Sequence, residues 1–506
     1  MSKTTFYVTT PIYYTNWVPH IGHAYSSIIA DSVKRYQKIA GKKTKFATWV
    51  DENSQKALLK AQEMGMEIMP YLDMMAEKHK EVWDGLNLEY TDFIRTTEPR
   101  HHEFVRSVLQ KSFDNGDIYS GMYEGKYCIG CEGFKKEDDL IEKDGKKVCP
   151  DHLTEPQKIK EKNYFFKLSK YQDFLLDLYK NNPEFVVPQE RFNEVISFVE
   201  RGLEDFSISR ETNTFGIKLP FDESQVTYVW YDALFNYMTV CASPDNGWDD
   251  MEFWPADLHV VGKDIVRFHA IYWPAMLKSA GMELPKQVLT TGYFTVDGQK
   301  ISKSLGNVID PVEFSQKYSK DLMTLYLLGS FNIGQDGDFD QKQAILMYNA
   351  KLANNLGNLV NRVVVLALKL GWTLSSNSTL ETSDFIQSIQ KDFQKYDLKS
   401  VLDTSFKFLD DLNNYTTQKE PWQMIKDESK LQETTQVLYT IAEWLRQVWL
   451  VLYPFFPEKM SELFEKIGLS DYKSQLENGK LSDLQQKTET FFIKEKGEPL
   501  FARFDV

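Results

Sequence analysis

Apolar and polar positions change period several times along the 506-residue chain. TTFYVTT, near the start, reads as a strand; residues 24–40 carry apolar side chains at helical spacing and stop at Gly41. TKFATWV reads as a second strand and residues 54–64 as a second helix. Strand, helix, strand, helix at this spacing predicts a doubly wound parallel sheet. From about Tyr119 the pattern breaks into short hairpin pieces. IEKDGKKV turns at Asp144-Gly145, and helical stretches follow at 171–180 and 188–202. The α/β pattern resumes at VTYVWYDAL and DLHVVGKDIVRFH. A second hairpin, YFTVDGQKIS, turns at Asp297-Gly298, and from about 320 to 466 the spacing is helical.

The expectation is an α/β chain: a split, doubly wound (Rossmann-like) parallel sheet, an insertion, and a C-terminal all-α helical bundle. The boundaries read as 1–117 for the first half of the sheet domain, 118–219 for the insertion and 220–292 for the second half. A loop region follows at 293–350 and a helical domain at 351–506.

Composition narrows the class. With 42% hydrophobic and 14% aromatic residues, a sizeable core is expected and disorder is not. MSKTTFYVTT lacks the apolar segment of a secretory signal, and apolar runs such as 448–456 are too short to span a bilayer. The expectation is a soluble, cytoplasmic protein without a membrane partner. A net charge of −14 argues against a basic coat for non-specific nucleic-acid binding, so DNA is not an expected partner. RNA would have to be met by a local groove.

Cys128, Cys131, Cys149 and His152 form C-x2-C-x17-C-x2-H. Three thiolates and one imidazole make a complete tetrahedral set, the pattern of a structural Zn²⁺ site with no open position for catalysis. Without a secretory signal the cluster favours metal over disulfides. Cys241 follows an apolar stretch and reads as a buried thiol.

Two short motifs carry chemistry. His20-Ile21-Gly22-His23 sits where a strand hands over to a helix, with unpaired N–H groups and a partial positive charge. Histidines there suit charge stabilisation at a phosphorus centre, and Gly22 admits a close ligand. Lys300-Ile301-Ser302-Lys303-Ser304 follows the second hairpin, and its lysines suit a pyrophosphate leaving group. Alone, the first motif is equally a pair of histidines near a helix cap, and the second an ordinary exposed loop.

Together, in this order, the two motifs resemble those of the class I aminoacyl-tRNA synthetases. TTPIYYTNWVPHIGHAYS, NYFFKLSKYQDFLL, GLEDFSISR, YVWYDALFNY, VVGKDIVRFHAIYWPAML, GYFTVDGQKISKSLGNVIDP and GQDGDFD resemble the bacterial methionyl-tRNA synthetases with a single zinc knuckle, from about residue 4 to 465. The resemblance implies a methionine–tRNA ligase that uses ATP with Mg²⁺ and charges initiator and elongator tRNA(Met). It implies His20, His23, Lys300 and Lys303 as catalytic. It assigns ATP to His20, Gly22, His23, Gly262, Asp264, Lys300, Ser302 and Lys303. Methionine falls to Ile12, Tyr14, Asp51, Arg210, Trp230, Ala233, Tyr237, Ile265 and His269, with Asp51 on the ammonium and Arg210 toward the carboxylate. Asn358, Arg362 and Trp422 are implied at the anticodon, a stem contact at 293–350, and the zinc knuckle over the active site.

The residues themselves leave plainer readings open: core aromatics for the pocket, surface ion pairs for Asp51 and Arg210, a helix cap for Asp264, a helix ion pair and a core Trp for the anticodon set. Three positions depart from the family pattern. Asn53-Ser54 stands where His-Gly is usual, Ile301 where Met is common, and DLMTLYLL lacks an arginine. Rival functions are another class I synthetase, a related nucleotidyltransferase or a non-catalytic RNA-binding zinc protein. The insertion is too small for an editing domain, and a nucleotidyltransferase has no use for the helical tail. With no room for a dimerising C-terminal module, a monomer is expected.

Overall fold

In the computed structural model the described residues are 4–129, 133–135, 137–150, 153–211, 214–242, 251–301, 306–371, 373–375, 383–469, 472, 476, 488, 490–493 and 495–505. The chain divides into two compact units. One comprises Tyr7–Pro19 and Lys45–Thr291, the other Met1–Phe6, His20–Thr44 and Gly292–Val506.

The Thr5–Thr9 strand is buried at every position, as a strand covered on both faces must be. It is central in a seven-stranded sheet ordered Val186–Val187, Val288–Thr291, Leu258–Gly262, Thr5–Thr9, Lys43–Asp51 and Tyr13–Tyr14, with Asp92–Arg95 also paired to Lys43–Asp51. Thr9 pairs with His259, Gly262 with Thr291, and Val50 with Arg95, all in parallel register. Strand order reverses beside Thr5–Thr9. That is the switch point of a doubly wound sheet, where the carboxyl ends of the strands open a crevice. Helices Pro99–Asp114, Gln172–Asn181 and Gln189–Glu200 bury Phe104, Leu175 and Val195 in the same core cluster as Trp49 and Trp273.

The expected hairpins form where Asp-Gly pairs stand. Asp144 and Gly145 both have positive φ (51° and 72°), as do Asp297 and Gly298 (51° and 72°), the backbone of a two-residue turn between twisted strands. In the insertion, Ile118–Cys128 and Gln157–Phe166 make a long antiparallel ribbon.

In the other unit, helix Ile21–Ile39 begins at Ile21, ahead of the position 24 that spacing gives. The His20 cap described below supplies the extra turn. Phe294–Val296 pairs antiparallel with Gln299–Lys300 and parallel with Gly337–Phe339. Helices then dominate to Lys466, including Asn358–Lys369, Leu398–Lys419, Leu431–Leu452 and Pro457–Lys466. A π-helical stretch, Asn349–Gly357, leads into Asn358. The helical reading of this tail holds, interrupted by the short strand Thr373–Ser375, which pairs with Thr490–Phe492. No described helix is long and apolar enough to cross a membrane.

Candidate active site

The two histidines of the first motif cap a helix reciprocally. His20 is the N-cap, and its Nδ1 accepts from Gly22 N at 3.1 Å. His23 Nδ1 accepts from His20 N, also at 3.1 Å. This is a capping box with imidazoles in place of Ser and Glu. It fixes the tautomers: a ring nitrogen that accepts a backbone N–H carries no proton, so each neutral ring holds its proton on Nε2. Burial lowers the His20 pKa to about 4, so that ring is neutral at pH 7. The rings lie 4.0 Å apart, centroid to centroid. At this helix start, then, Nε2–H of His20 is a hydrogen-bond donor aided by the helix dipole.

Gly22 is required by this cap. A Cβ there would stand 2.9 Å from His20 Cε1 and 3.1 Å from Nδ1. It would also stand 3.8 Å from Ile301 Cδ1, so the first motif and the lysine-bearing loop meet at Gly22. Ile21 N, an orphan donor of the first helical turn, bonds Ile309 O at 3.1 Å beyond the loop. Lys300 ends the Gln299–Lys300 strand; Ser302 and Lys303 lie outside the described residues.

In the other unit, three of the implied methionine residues and one of the implied ATP residues sit at or beyond carboxyl ends of sheet strands. Ile12 follows Thr5–Thr9, Tyr14 ends Tyr13–Tyr14, Asp51 ends Lys43–Asp51, and Gly262 ends Leu258–Gly262. Asp51, Ala233, Tyr237 and His269 are buried and Ile12 nearly so; Tyr14 and Ile265 are half-buried. Trp230 stacks on Phe268 (3.8 Å, 6° between planes) and meets Tyr14 edge-on at 6.4 Å. Trp230 and Tyr127 share an apolar cluster against which Tyr14 and Ile265 pack. His269 lies in a π-helical turn, Phe268–Tyr272, a local form frequent at functional sites. Its pKa is lowered to about 4 by burial. A side chain at Gly262 would come within 2.5 Å of Asp264 Oδ1, so glycine leaves that exposed carboxylate its place.

Arg210 is more constrained than a surface ion pair. Its Nε donates to Glu161 Oε1 at 2.7 Å, both side chains are almost wholly buried, and its guanidinium lies 4.2 Å from the Tyr127 ring centroid. Tyr127 belongs to the Trp230 cluster, which places Arg210 beside that cluster. Sequence reading missed Glu161. The signal was there: in QKIKEKNYFF, Glu161 falls on the buried phase of the strand while its lysine neighbours fall outside.

The departure at Asn53-Ser54 has a local explanation. Ser54 is the N-cap of helix Gln55–Glu63 and accepts from Ala57 N at 3.1 Å. Asn53 is buried and donates to Asp232 Oδ2 at 2.9 Å.

Cys128 and Cys149 are buried. Cys131 and His152 lie outside the described residues, and among the described residues no group of three or more acidic, His or Cys side chains is placed to hold a metal. Two buried cysteines on either side of the Ile141–Val148 hairpin in sequence fit the donor set of a thiolate site. Asn358 and Arg362 are exposed on successive turns of helix Asn358–Lys369, and Trp422 is half-buried in the short helix Pro421–Met424.

Residues 6–364 match the family model described as tRNA synthetases class I (M). The chain is 40% identical to the methionine–tRNA ligase of Caldanaerobacter subterraneus over all of this chain and 80% of that one. Identity to the Thermotoga maritima methionine–tRNA ligase is also 40%, over 99% of this chain and 80% of the relative. Among solved structures, methionyl-tRNA synthetase of Mycobacterium tuberculosis in complex with methionyl-adenylate superposes with a TM-score of 0.93 at 32% identity, covering 99% of this chain and 100% of that one.

Proposed function

We infer the activity of this chain from its family: it belongs to the methionine–tRNA ligases, within the class I tRNA synthetases. It activates L-methionine with ATP to methionyl-adenylate, releasing pyrophosphate, and transfers the methionyl group to the 3′ end of tRNA(Met). The methionine carboxylate attacks the α-phosphate; the terminal ribose hydroxyl of the tRNA then attacks the activated carbonyl. No protein nucleophile is needed, so catalysis is positioning and charge stabilisation.

The observation that carries this reading is the meeting of Gly22 and Ile301, which joins the capped histidines to the lysine loop. His20 and His23 donate to the phosphate oxygens as charge develops, and Lys300 and Lys303 neutralise the departing pyrophosphate. Ser302 and the Gly262/Asp264 pair hold the nucleotide, the latter at its ribose. Asp51 takes the ammonium, Arg210 the carboxylate end, and Ile12, Tyr14, Trp230, Ala233, Tyr237, Ile265 and His269 enclose the thioether, which favours aromatic neighbours. Mg²⁺ enters with ATP and screens its phosphates.

Cys128, Cys131, Cys149 and His152 would hold one structural Zn²⁺, which would brace the insertion. Metal analysis of the purified chain would then give one zinc per chain, lost in Cys149→Ser. Asn358, Arg362 and Trp422 read the anticodon, the latter by stacking. We place the enzyme in the cytoplasm with its tRNA, without a DNA or membrane partner. We propose a monomer, in keeping with the self-repulsion of a chain of net charge −14.

The direct test is His23→Ala. It should slow adenylate formation by about a hundredfold or more while methionine affinity changes little. Equal losses in both would contradict the role given to His23.

A further inference from the structure

We propose that Asn53 is a positioning residue for the amino acid: its buried amide clamps the strand end that carries Asp51 to the helix that carries Trp230 and Ala233, and so sets the length of side chain the pocket accepts. The proposal rests on the methionine reading above.

The geometry is specific. Asn53 is 3% exposed and Asp232 0%. Both donor directions of the Asn53 amide are used, to Asp232 Oδ2 at 2.9 Å and to the carbonyl of Thr96 at 3.2 Å. Its backbone N–H, and that of Glu52, go to Thr96 Oγ1 at 3.3 and 2.9 Å. The same carboxylate oxygen of Asp232 also accepts from Thr227 Oγ1 at 3.2 Å. Behind it, His101 lies 2.9 Å, through Nδ1, from Thr239 Oγ1. Asp232 is thus held from two sides, by Asn53 and by Thr227, and the Asn53 bond spans 179 positions in sequence.

What it joins matters more than the bond. Asn53 is two residues past Asp51, and Asp232 lies between Trp230 and Ala233 in helix Val229–Ala233. One end of the clamp therefore governs where the substrate ammonium sits and the other where the thioether wall stands. A fully buried bond between an amide and a carboxylate loses strength steeply with distance. The separation of the two subsites is then fixed to a fraction of an ångström, the scale on which one methylene is discriminated. Apolar packing alone would hold the wall less sharply, because Trp230 meets Phe268 through a stacked face that can slide.

The test is ATP–pyrophosphate exchange by the full chain with methionine and with ethionine, one methylene longer. Wild type is compared with Asn53→Ala and Asn53→Ser, and thermal melts are run in parallel. Serine keeps a small polar group but is too short to reach Asp232, and it carries the test if the alanine variant fails to fold. The expected result is a KM for methionine raised about tenfold, a KM for ATP within about twofold, and a shift of several-fold in kcat/KM toward ethionine. A folded variant with wild-type KM and an unchanged ethionine ratio, melting earlier, would make Asn53 merely structural and overturn the proposal. So would equal increases in both KM values. Absence of methionine-dependent exchange in the wild type would instead overturn the underlying reading of the reaction.

Discussion

The hydroxyl of Tyr237 lies 2.6 Å from Nε2 of His269, and His269 Nδ1 lies 3.0 Å from the carbonyl of Ile265. A carbonyl only accepts, so Nδ1 carries the ring proton. Burial keeps the ring neutral, with its pKa at about 4. Nε2 is then an acceptor and Tyr237 must donate to it. The pair's protons go to His269 Nε2 and to the Ile265 carbonyl, so it offers a ligand no charge and no spare donor. That is an environment for a thioether, which has little hydrogen-bonding capacity of its own. His269→Ala should raise the KM for methionine by about tenfold or more, because it takes the 2.6 Å acceptor from the buried Tyr237 hydroxyl and leaves it only the long contact to Thr10 O at 3.5 Å. Tyr237→Phe should cost less, since the ring remains. Exchange kinetics on both variants check the order; a larger effect for Tyr237→Phe would reverse the assignment of donor and acceptor.

Acid should destabilise the fold before carboxylates of ordinary pKa protonate. Burial lowers the pKa of His20, His79 and His269 from 6.5 to about 4 and that of His101 to about 3, and holds His259 well below 6.5. A depressed histidine means that the unfolded chain binds the proton first. The stability each one contributes is therefore intact above about pH 6.5 and falls as pH drops toward 4, by about 1.4 kcal/mol per pH unit. Asp321, raised to about 6 by burial, and Glu52, also raised, act in the opposite sense. His102 is lowered as well and Asp392 raised; the histidines outnumber the carboxyls, so the melting temperature should fall between pH 7 and pH 5. A flat profile across that range would show that the rings are not held neutral.

Gly22→Ala tests the capped histidines without removing either. The new Cβ would stand 2.9 Å from His20 Cε1, so the ring must leave its cap. The helix loses about 1 kcal/mol of capping. The rate of adenylate formation should fall much further, by about a hundredfold, because the Nε2 donor is misplaced. Pre-steady-state measurement of adenylate, alongside a thermal melt, separates the two. Proportionate small losses in both would reduce Gly22 to a packing residue.

Arg362→Ala should separate the two chemical steps. Arg362 is exposed on helix Asn358–Lys369, remote in sequence from the residues assigned to adenylate formation. Charging of tRNA(Met) should weaken by about tenfold or more while exchange without tRNA keeps its wild-type rate. A drop in exchange would mean that Arg362 supports the fold rather than the anticodon.

Local rules carried much of this structure into the sequence. The Asp-Gly turns at 144–145 and 297–298 and the Ser54 cap follow from backbone chemistry within a few residues. The His20–His23 box was less legible, because imidazoles are unusual capping partners, and so the helix start was read too late. The identity of long-range partners left no local mark, although strand alternation marks Glu161 as buried. Nothing around Asn53 points to Asp232, nor around Arg210 to Glu161, since each pairing is created when distant strands come together. The π-helical turn around His269 was equally hidden, because the residues FHAIY fit an α-helix as well.

The most direct measurement is ATP–pyrophosphate exchange with each of the twenty amino acids in turn, without tRNA. Exchange with methionine alone is the predicted result, and it would establish activation and pocket selectivity together. Exchange with a different amino acid would keep the class I chemistry and overturn the roles given to Trp230, Tyr237 and His269. No exchange with any, from folded and zinc-replete protein, would contradict the account as a whole.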